Sequence, residues 1–284
     1  MRRVMTVMLL MTCIISGCAQ GPKYSNPADS EEQPQSPVYE QPPAISPVEA
    51  KDPVAKTEDS LPEEDPVVPI TYFMNEVYDI KPISEDGDEH VVLLTFDDGP
   101  KEEEMLTSML DTLNKHNAKA IFFVNGFRVK ANPELLQLIA REGHAVGNHS
   151  WDHINLKNES EETIRQQVDD VQQIVEKTVG KKPVFFRPPH GASNEFLRNY
   201  VKEQGMLFMT WSNGSLDWDA GSQTPQAVIA NVLDQLRPGS NILMHELPWT
   251  AEALDELLTT LQEKGYSFVN PHSIRIDTDE EEAP

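Results

Sequence analysis

Short apolar runs alternate with segments of helical period from about residue 90 to residue 270 of this chain. Seven runs are predicted as strands: 91–96, 120–124, 145–147, 184–186, 207–211, 242–244 and 266–269. Six segments between them have apolar residues at helical spacing: 103–116, 133–142, 160–179, 194–204, 225–236 and 250–264. Strands that alternate with helices pair in parallel through right-handed crossovers, so the pattern predicts an α/β fold. The runs lack polar alternation, which is typical of strands covered on both faces.

Seven strands that alternate with helices favour a closed, barrel-like sheet. An open doubly wound sheet has the same local pattern and is the alternative. In a parallel barrel the active site lies at the carboxyl ends of the strands, so the residues that follow each run are the candidates for chemistry.

The first residues have the pattern of an export signal: Arg2 and Arg3, an apolar run over 4–15, then Ser16-Gly17-Cys18. The run is too short to span a bilayer. The segment 15–18 resembles the bacterial lipoprotein signal, in which a lipid is attached to the cysteine and cleavage occurs just before it. We therefore expect residues 1–17 to be removed and Cys18 to anchor the protein to the extracytoplasmic face of the cell membrane. A secretory signal with an incidental cysteine is the alternative.

Composition divides the remaining chain. Residues 18–69 are rich in proline and acidic residues and are predicted to be a disordered tether; 70–89 contain aromatic residues and are predicted to dock on the domain. Residues 90–276 form the predicted domain, followed by an acidic tail at 277–284. The net charge is −13 over 19–89, −8 over 90–276 and −5 over 277–284. This acidic excess and the lack of a basic stripe argue against a nucleic-acid partner. We expect a monomer.

Ionisable side chains follow most of the predicted strands. In chain order they are Asp97 and Asp98, His149 and His153, Arg187 and His190, Asp217, and His245. The carboxyl ends of the strands meet at one rim of the barrel, so the sequence predicts that these groups crowd together there.

His149 and His153 have a spacing that suits a metal site. Two histidines four residues apart on a helical turn point to one side, and a carboxylate from another strand would complete a set with open positions. Each feature also has an ordinary explanation. The histidine pair can arise by chance, Asp-Gly-Pro is common turn chemistry, His245 can be a core residue, and Trp151, Trp211 and Trp218 can serve packing.

Five segments, taken in order, resemble the motifs of the NodB-type polysaccharide deacetylases, carbohydrate esterase family 4. They are TFDDGP (95–100), HSWDH (149–153), RPPHG (187–191), SLDW (215–218) and ILMH (242–245). The resemblance covers roughly residues 90–270. It implies a distorted (β/α) barrel of about seven repeats.

The resemblance also implies roles for individual residues. Asp97 would be the general base, Arg187 would position and tune it, and His245 would be the general acid with Asp217 orienting its surroundings. The metal would be held by Asp98, His149 and His153, and the substrate would contact His190, Trp218 and Leu243. Zinc suits two histidines and an aspartate best, although Co²⁺, Ni²⁺ or Mn²⁺ also fit such ligands.

The implied reaction is hydrolysis of acetamido groups on the N-acetylated sugars of a polysaccharide, either peptidoglycan or a chitin-like chain. An O-acetyl esterase acting on xylan and a catalytically silent glycan-binding protein are the alternatives. Two positions depart from the family pattern: His190 stands where tyrosine is usual, and Gly214 stands where the first acid of the fourth motif is expected. We expect Gly214 to remove a carboxylate that balances Arg187. The remaining histidines are predicted to be structural: His90, His116, His144 and His272.

Overall fold

The computed structural model describes residues 68–276. The predicted signal peptide (1–17), Cys18 and the acidic tail (277–284) lie outside this range, and so does nearly all of the predicted tether (18–69). What the sequence predicts for these segments stays a prediction. Among the helices of residues 68–276, none combines the length and the apolar character needed to cross a membrane.

Strands and helices alternate along the described part of the chain. The strands are β1 (Tyr72–Met74), β2 (Ile80–Pro82), β3 (Val91–Gly99), β4 (Ala120–Val124), β5 (Ala145–Asn148), β6 (Phe185–Phe186), β7 (Leu207–Phe208), β8 (Asn213–Gly214), β9 (Ser240–His245) and β10 (Ser267–Phe268). The helices are α1 (Glu103–Lys115), α2 (Gly126–Ala131), α3 (Pro133–Arg141), α4 (Glu161–Val179), α5 (Glu195–Glu203), α6 (Pro225–Asp234) and α7 (Pro248–Glu263).

Eight of these strands form one curled sheet around β3. The hydrogen-bonded order is β7-β6-β5-β4-β3-β9-β8, and β10 pairs with the beginning of β3. Every pairing is parallel. Because parallel neighbours need long crossover connections, the helices lie between successive strands and cover the outer face of the sheet. The predicted distorted (β/α) barrel is confirmed in the form of a curled half-barrel.

Side chains of β3 alternate between two environments. Leu94 and Phe96 pack with the surrounding helices, whereas Leu93 packs in a second cluster on the inner face. Thr95 and Asp97 continue the inner row, because successive residues of a strand point to opposite faces. The inner face of β3 therefore changes from apolar at its beginning to polar at its end, where the functional groups lie.

The sheet stays open between β7 and β8, so the closed sheet favoured by the sequence is wrong in this detail. Only residues 209–212 connect these two strands. A parallel pair needs a connection of a dozen or more residues, which such a short link cannot provide. The link instead donates hydrogen bonds to both sides, from Met209 N to Phe186 O (2.9 Å) and from Ser212 N to Asn241 O (3.1 Å).

The predicted helices are present with their ends shifted by at most two residues. Helix α2 was missed because its six residues are too few to show a helical period. Strand β8 was missed for a similar reason, since Asn213 and Gly214 form no apolar run. The apolar run 207–211 gives only the two-residue strand β7, since the chain leaves the sheet at Met209.

The segment 70–89 contains a hairpin of β1 and β2. This hairpin contacts the end of the sheet at which the strands begin. Thr71 N donates to Ser273 O (2.9 Å), and Ile80 N donates to Gly239 O (2.8 Å). Ile80 is fully buried in the inner cluster. The hairpin thus covers apolar side chains at the end of the barrel opposite the polar rim.

Replacement of Gly239 by alanine is expected to detach this hairpin. Gly239 has a φ of +89°, and a Cβ there would lie 2.3 Å from Ile80 O. The backbone strain alone should lower the free energy of unfolding by about 1–3 kcal/mol, and the clash adds to it. Urea unfolding measures the loss. Gly265→Ala is the matched control, because Gly265 has a φ of +83° but no atom within 4 Å of the added Cβ. Equal losses for the two variants would contradict the role given to the contact with Ile80.

Candidate active site

The carboxyl end of the sheet brings together ionisable residues that are far apart in the sequence. Asp97 and Asp98 lie at the end of β3, and His245 ends β9 directly opposite Asp97 in the register. His149 follows β5 and Arg187 follows β6. Parallel strands place all their carboxyl ends at one edge, so pairing alone assembles these side chains.

A bulge at the end of β3 brings two consecutive aspartates to the same site. The register of β3 against β4 shifts between Asp97 and Gly99, and Asp98 has a φ of 67°. In a regular strand the side chains of Asp97 and Asp98 would point to opposite faces. Bulges re-aim side chains, and left-handed backbone at a residue other than glycine is concentrated at functional sites.

Residues 149–153 form an irregular loop, so the helical turn expected for the two histidines is wrong. Ser150 and His153 both have positive φ values, of 65° and 56°. Local hydrogen bonds hold this conformation: Ser150 N donates to Asn148 Oδ1 (3.0 Å), and His153 N donates to Ser150 Oγ (3.2 Å). The loop still points both imidazoles to one side, by turn geometry that spacing in the sequence does not reveal.

Asp98, His149 and His153 converge on a common point. One ligand atom from each of the three lies within 4.8 Å of the others. Asp98 Oδ1 is 3.5 Å from His149 Nε2 and 3.2 Å from His153 Nε2. His149 Nδ1 forms a 2.7 Å hydrogen bond with Arg187 O, which fixes the ring with Nε2 towards Asp98. Such a backbone contact is how metal-binding histidines are oriented.

This triad fits a divalent metal ion. Within residues 68–276, Asp98 Oδ1 is buried and has no hydrogen-bond partner, although the two imidazole nitrogens are close. Burial raises the pKa of Asp98, but the positive charges of His149, His153, His245 and Lys101 together lower it more, so the pKa lies below its ordinary value of 3.8. An ionised oxygen and two imidazole nitrogens with open positions form a donor set of the catalytic zinc type.

Arg187 holds Asp97 from inside the barrel. Its guanidinium is fully buried and donates to Asp97 Oδ1 (2.7 Å), to Thr95 Oγ1 (2.8 Å) and to Thr210 O (2.8 Å). It also stacks on the ring of Phe123, 4.3 Å from the centroid. Because Arg187 occupies Oδ1, the other oxygen of Asp97 faces the triad, 3.7 Å from His149 Nε2.

The expectation that Gly214 removes a carboxylate that balances Arg187 stays a prediction. Gly214 pairs with Leu243 in the register, and a Cβ there would lie 3.5 Å from Trp211 Nε1 and 3.6 Å from Trp218 Cη2. Asn241 on β9 gives the guanidinium a neutral acceptor, since its Oδ1 accepts from Arg187 Nη2 at 3.2 Å. Asn241 was missed by the sequence reasoning, although it lies two residues before Leu243 on the same inner face of β9.

Asp217 anchors His245 across the site. Asp217 Oδ1 bonds to His245 Nδ1 (2.7 Å), and its Oδ2 accepts both the backbone N–H of His245 (2.8 Å) and the hydroxyl of Thr250 (2.7 Å). Asp217 is fully buried. This contact leaves Nε2 as the ring nitrogen of His245 that is available to a substrate.

The surroundings favour the protonated form of His245. Burial lowers its pKa, but the hydrogen bond and charge of Asp217 raise it more, with further increases from Asp97 and Asp98. The net pKa lies above the ordinary value of 6.5. The surroundings of His245 therefore favour a proton on the imidazole that faces the triad.

A pocket lies between Asp98 of the triad and His245. Its lining residues are Asp98, Lys101, Trp218, Gln223, His245, Leu247 and Trp249. The indole of Trp218 is 43% exposed and meets the His245 ring edge to face, with centroids 5.4 Å apart. Sequence reasoning had found only Asp98, Trp218 and His245, because the other side chains belong to no motif.

The predicted substrate contacts occupy different depths of the site. Leu243 is buried on the inner face of β9, opposite Thr95 in the register. His190 is exposed, with a φ of 59°, and its ring centroid lies 4.7 Å from that of His153. The unusual histidine thus stands beside the triad at the surface.

The histidines predicted to be structural lie away from the triad: His90, His116, His144 and His272. His116 bonds to Gln262 Oε1 (2.8 Å) and Asp255 Oδ1 (2.7 Å) between α1 and α7. His144 is buried and accepts from Ala120 N (3.1 Å), and burial lowers its pKa to about 3. These contacts serve packing between elements.

Known proteins resemble this chain over the same region. Residues 84–209 match the polysaccharide deacetylase family model. A peptidoglycan-N-acetylglucosamine deacetylase of Bacillus cereus is 33% identical over 187 residues, which cover 64% of this chain and 87% of the relative. A peptidoglycan-N-acetylmuramic acid deacetylase of Bacillus subtilis is 37% identical over 185 residues, which cover 65% of this chain but only 38% of that longer protein.

A solved structure extends the comparison to the fold. The crystal structure of a family 4 carbohydrate esterase pseudoenzyme from Bacillus anthracis has a TM-score of 0.62 and 31% identity, covering 66% of this chain and 67% of that one. The family model covers strands β3 to β7 and the residues Asp98, His149, His153 and Arg187. This chain therefore belongs to the polysaccharide deacetylase family.

Proposed function

We propose that this protein is a metal-dependent deacetylase that hydrolyses acetamido groups on the N-acetylated sugars of peptidoglycan. The observation that carries the proposal is the triad Asp98, His149 and His153 beside Asp97, with His245 across the pocket. The peptidoglycan substrate is supported by the two relatives from Bacillus, which are named for deacetylation of that polymer. Chitin-like chains share the acetamido group and are the second substrate class.

The triad would hold the metal, which we assign as Zn²⁺ from its two imidazole ligands and one carboxylate. A bound divalent ion would polarise the amide carbonyl and increase the acidity of a water molecule.

The side chains of the protein supply the proton transfers. Asp97 accepts a proton from the attacking water through the oxygen that Arg187 leaves free. Water adds to the amide carbon, and the C–N bond then breaks. His245 donates its Nε2 proton to the departing nitrogen, because an amine anion is too basic to leave unaided. The products are acetate and the free amino sugar, and both residues return to their starting states after proton exchange.

A backbone N–H in the loop after Arg187 would stabilise the oxyanion. The N–H groups of Gly191 and Ala192 already donate to Pro188 O (3.0 Å) and Pro189 O (3.1 Å). We therefore assign the oxyanion contact to the N–H of His190. A main-chain donor does not depend on the side chain, which is why histidine in place of tyrosine is compatible with turnover.

The alternative of a silent glycan-binding protein is supported by Gly214, which stands where a carboxylate is expected. Asn241 Oδ1 accepts from Arg187 but carries no charge, so it satisfies a hydrogen bond and does not replace that carboxylate. The pseudoenzyme among the similar structures shows that this fold occurs without turnover, so the distinction needs a measurement. An acetylxylan esterase is the other outcome to test, because the same residues would hydrolyse esters.

The test is acetate release by the full chain from peptidoglycan, chitotetraose and acetylxylan, with zinc and after chelation. We expect release from an N-acetylated polymer that stops on chelation and returns with zinc. His153→Ala should lose both metal and activity, whereas His90→Ala, at an exposed position beside Tyr266, should keep both. Release that continues at the same rate from metal-free protein would overturn the metal-dependent reaction, and release from acetylxylan alone would favour the esterase.

The lipid anchor at Cys18 and the extracytoplasmic location belong to the same proposal. They would place the domain next to peptidoglycan, at the end of the acidic tether. Incorporation of labelled palmitate in a bacterial host is expected for the wild type and not for Cys18→Ala. Equal incorporation in the two proteins would contradict the anchor.

Asp217→Asn is expected to move the basic limb of the pH profile of kcat to lower pH. His245 must be protonated to act as the acid, so activity falls as the pH rises through its pKa. Loss of the Asp217 charge leaves burial as the main influence, and burial lowers the pKa of His245. Initial rates measured across pH give the shift, and Asp219→Asn at a neighbouring exposed position is the control. An unmoved limb would mean that His245 is not the acid.

A further inference from the structure

One cation in the pocket has no part in the reaction described above. Lys101 lines the pocket together with Asp98 and His245, and its side chain is half-buried. Within residues 68–276, the ammonium of Lys101 makes no hydrogen bond and no ion pair. The formal net charge of the chain is −24. The positive charge of Lys101 in the pocket is therefore opposite in sign to the charge of the protein as a whole.

The position of Lys101 is fixed by a buried carboxyl group. Glu246 Oε2 accepts the backbone N–H of Lys101 at 2.9 Å, and Glu246 is only 1% exposed. The lack of a side chain at Gly99 makes room for this contact, since a Cβ there would lie 1.8 Å from Glu246 Oε1. This contact fixes the loop that carries Lys101, while its ammonium makes no hydrogen bond within the described residues.

The surroundings of Lys101 favour an anionic ligand. Burial lowers its pKa, and Asp98 and Glu246 oppose that effect only in part. A half-buried ammonium that makes no hydrogen bond gains when an anion enters, because charge-assisted hydrogen bonds are among the strong ones. Trp218 and Trp249 line the same pocket and offer apolar faces to a sugar ring.

The position of Lys101 in the pocket determines which part of the substrate would have to carry the negative charge. If the acetamido group reacts between Asp98 and His245, the substituent on the adjacent sugar carbon lies in the same small pocket. In muramic acid that carbon carries a lactyl ether, whose carboxylate is free wherever the peptide has been removed. N-acetylglucosamine has a neutral hydroxyl at this position.

We propose that Lys101 is a specificity-determining residue that binds the carboxylate of N-acetylmuramic acid in peptide-free glycan strands. The inference rests on the proposed deacetylase function and narrows its substrate. It predicts a preference for sugars whose neighbouring substituent is anionic over the same sugars with a neutral substituent.

The experiment compares two forms of one substrate with the full chain. Peptide-free glycan strands are used as such or after conversion of their lactyl carboxylates to amides. The ratio of kcat/KM between the two forms is expected to be about tenfold or more in favour of the carboxylate for the wild type. Lys101→Met should abolish most of this ratio, and Lys101→Arg should keep most of it. Lys202→Met, at an exposed position on α5, is the control.

Each result bears on the inference. Equal rates of the wild type on both strands would overturn the inference. A Lys101→Met variant that loses the same fraction of its activity on both strands would also overturn it, since Lys101 would then affect only the acidic residues around it and not the choice of substrate. If the wild type releases no acetate from any polymer, the deacetylase function fails separately. The Kd values of the two strands then decide the inference, which holds only if the wild type binds the carboxylate form more tightly and Lys101→Met does not.

Discussion

Asp97→Asn is expected to lower kcat for acetate release by about 10² to 10⁴, the usual contribution of a general base. Asparagine keeps an oxygen that can accept from Arg187, so the fold of the site should survive. It cannot take a proton from water. Metal content should stay at the wild-type level, because the triad is formed by Asp98, His149 and His153. Steady-state kinetics and metal analysis of the same samples measure both properties.

The matched comparison is Asp98→Asn, which changes the neighbouring carboxylate. This variant should lose metal as well as activity, since Asp98 Oδ1 lies within 3.5 Å of both imidazole nitrogens. A rate for Asp97→Asn within a few-fold of the wild type would show that another group accepts the proton.

Arg187→Met is expected to lower the free energy of unfolding by about 3–5 kcal/mol at neutral pH. Asp97 is only 3% exposed, so removal of the guanidinium leaves a buried carboxylate without its cation. Thr210 O and Asn241 Oδ1 lose a donor in the same step. Urea unfolding of the metal-free proteins measures the loss.

The double variant Asp97→Asn with Arg187→Met separates charge from packing. If the unpaired carboxylate causes the loss, the double variant should be more stable than Arg187→Met alone, because no buried charge then lacks a partner. If both lose the same amount, the contribution of Arg187 comes from its stacking on Phe123 rather than from its charge.

Local sequence patterns were sufficient for most of the fold. The apolar runs of β3 and β4 and the helical period of α4 are properties of a few consecutive residues, so they could be predicted without the structure. The short elements α2 and β8 could not be predicted, because they are shorter than the periodic patterns that identify a helix or a strand. The opening of the sheet between β7 and β8 could not be predicted either, since it depends on which strands are neighbours in the sheet.

The sequence was also sufficient to predict which ionisable residues lie at the rim, for a different reason. Asp97, His149, Arg187 and His245 each follow an apolar run of the sequence, and parallel pairing places the ends of all strands together. The backbone conformation that brings these side chains together could not be predicted from the sequence. The bulge at Asp98 and the turn over residues 149–153 arise from backbone geometry and hydrogen bonds, which spacing does not encode.

By itself, the sequence determined the order of strands and helices, the motifs of the family and the chemical groups available at the rim. Only the tertiary structure decided that Asn241 accepts a hydrogen bond from Arg187, and that Lys101 lines the pocket beside Asp98 and His245. Arg187 donates to Thr95, 92 residues earlier in the chain, and to Asn241, 54 residues later. Contacts over such separations are set by the curl and register of the sheet, so no local pattern carries them.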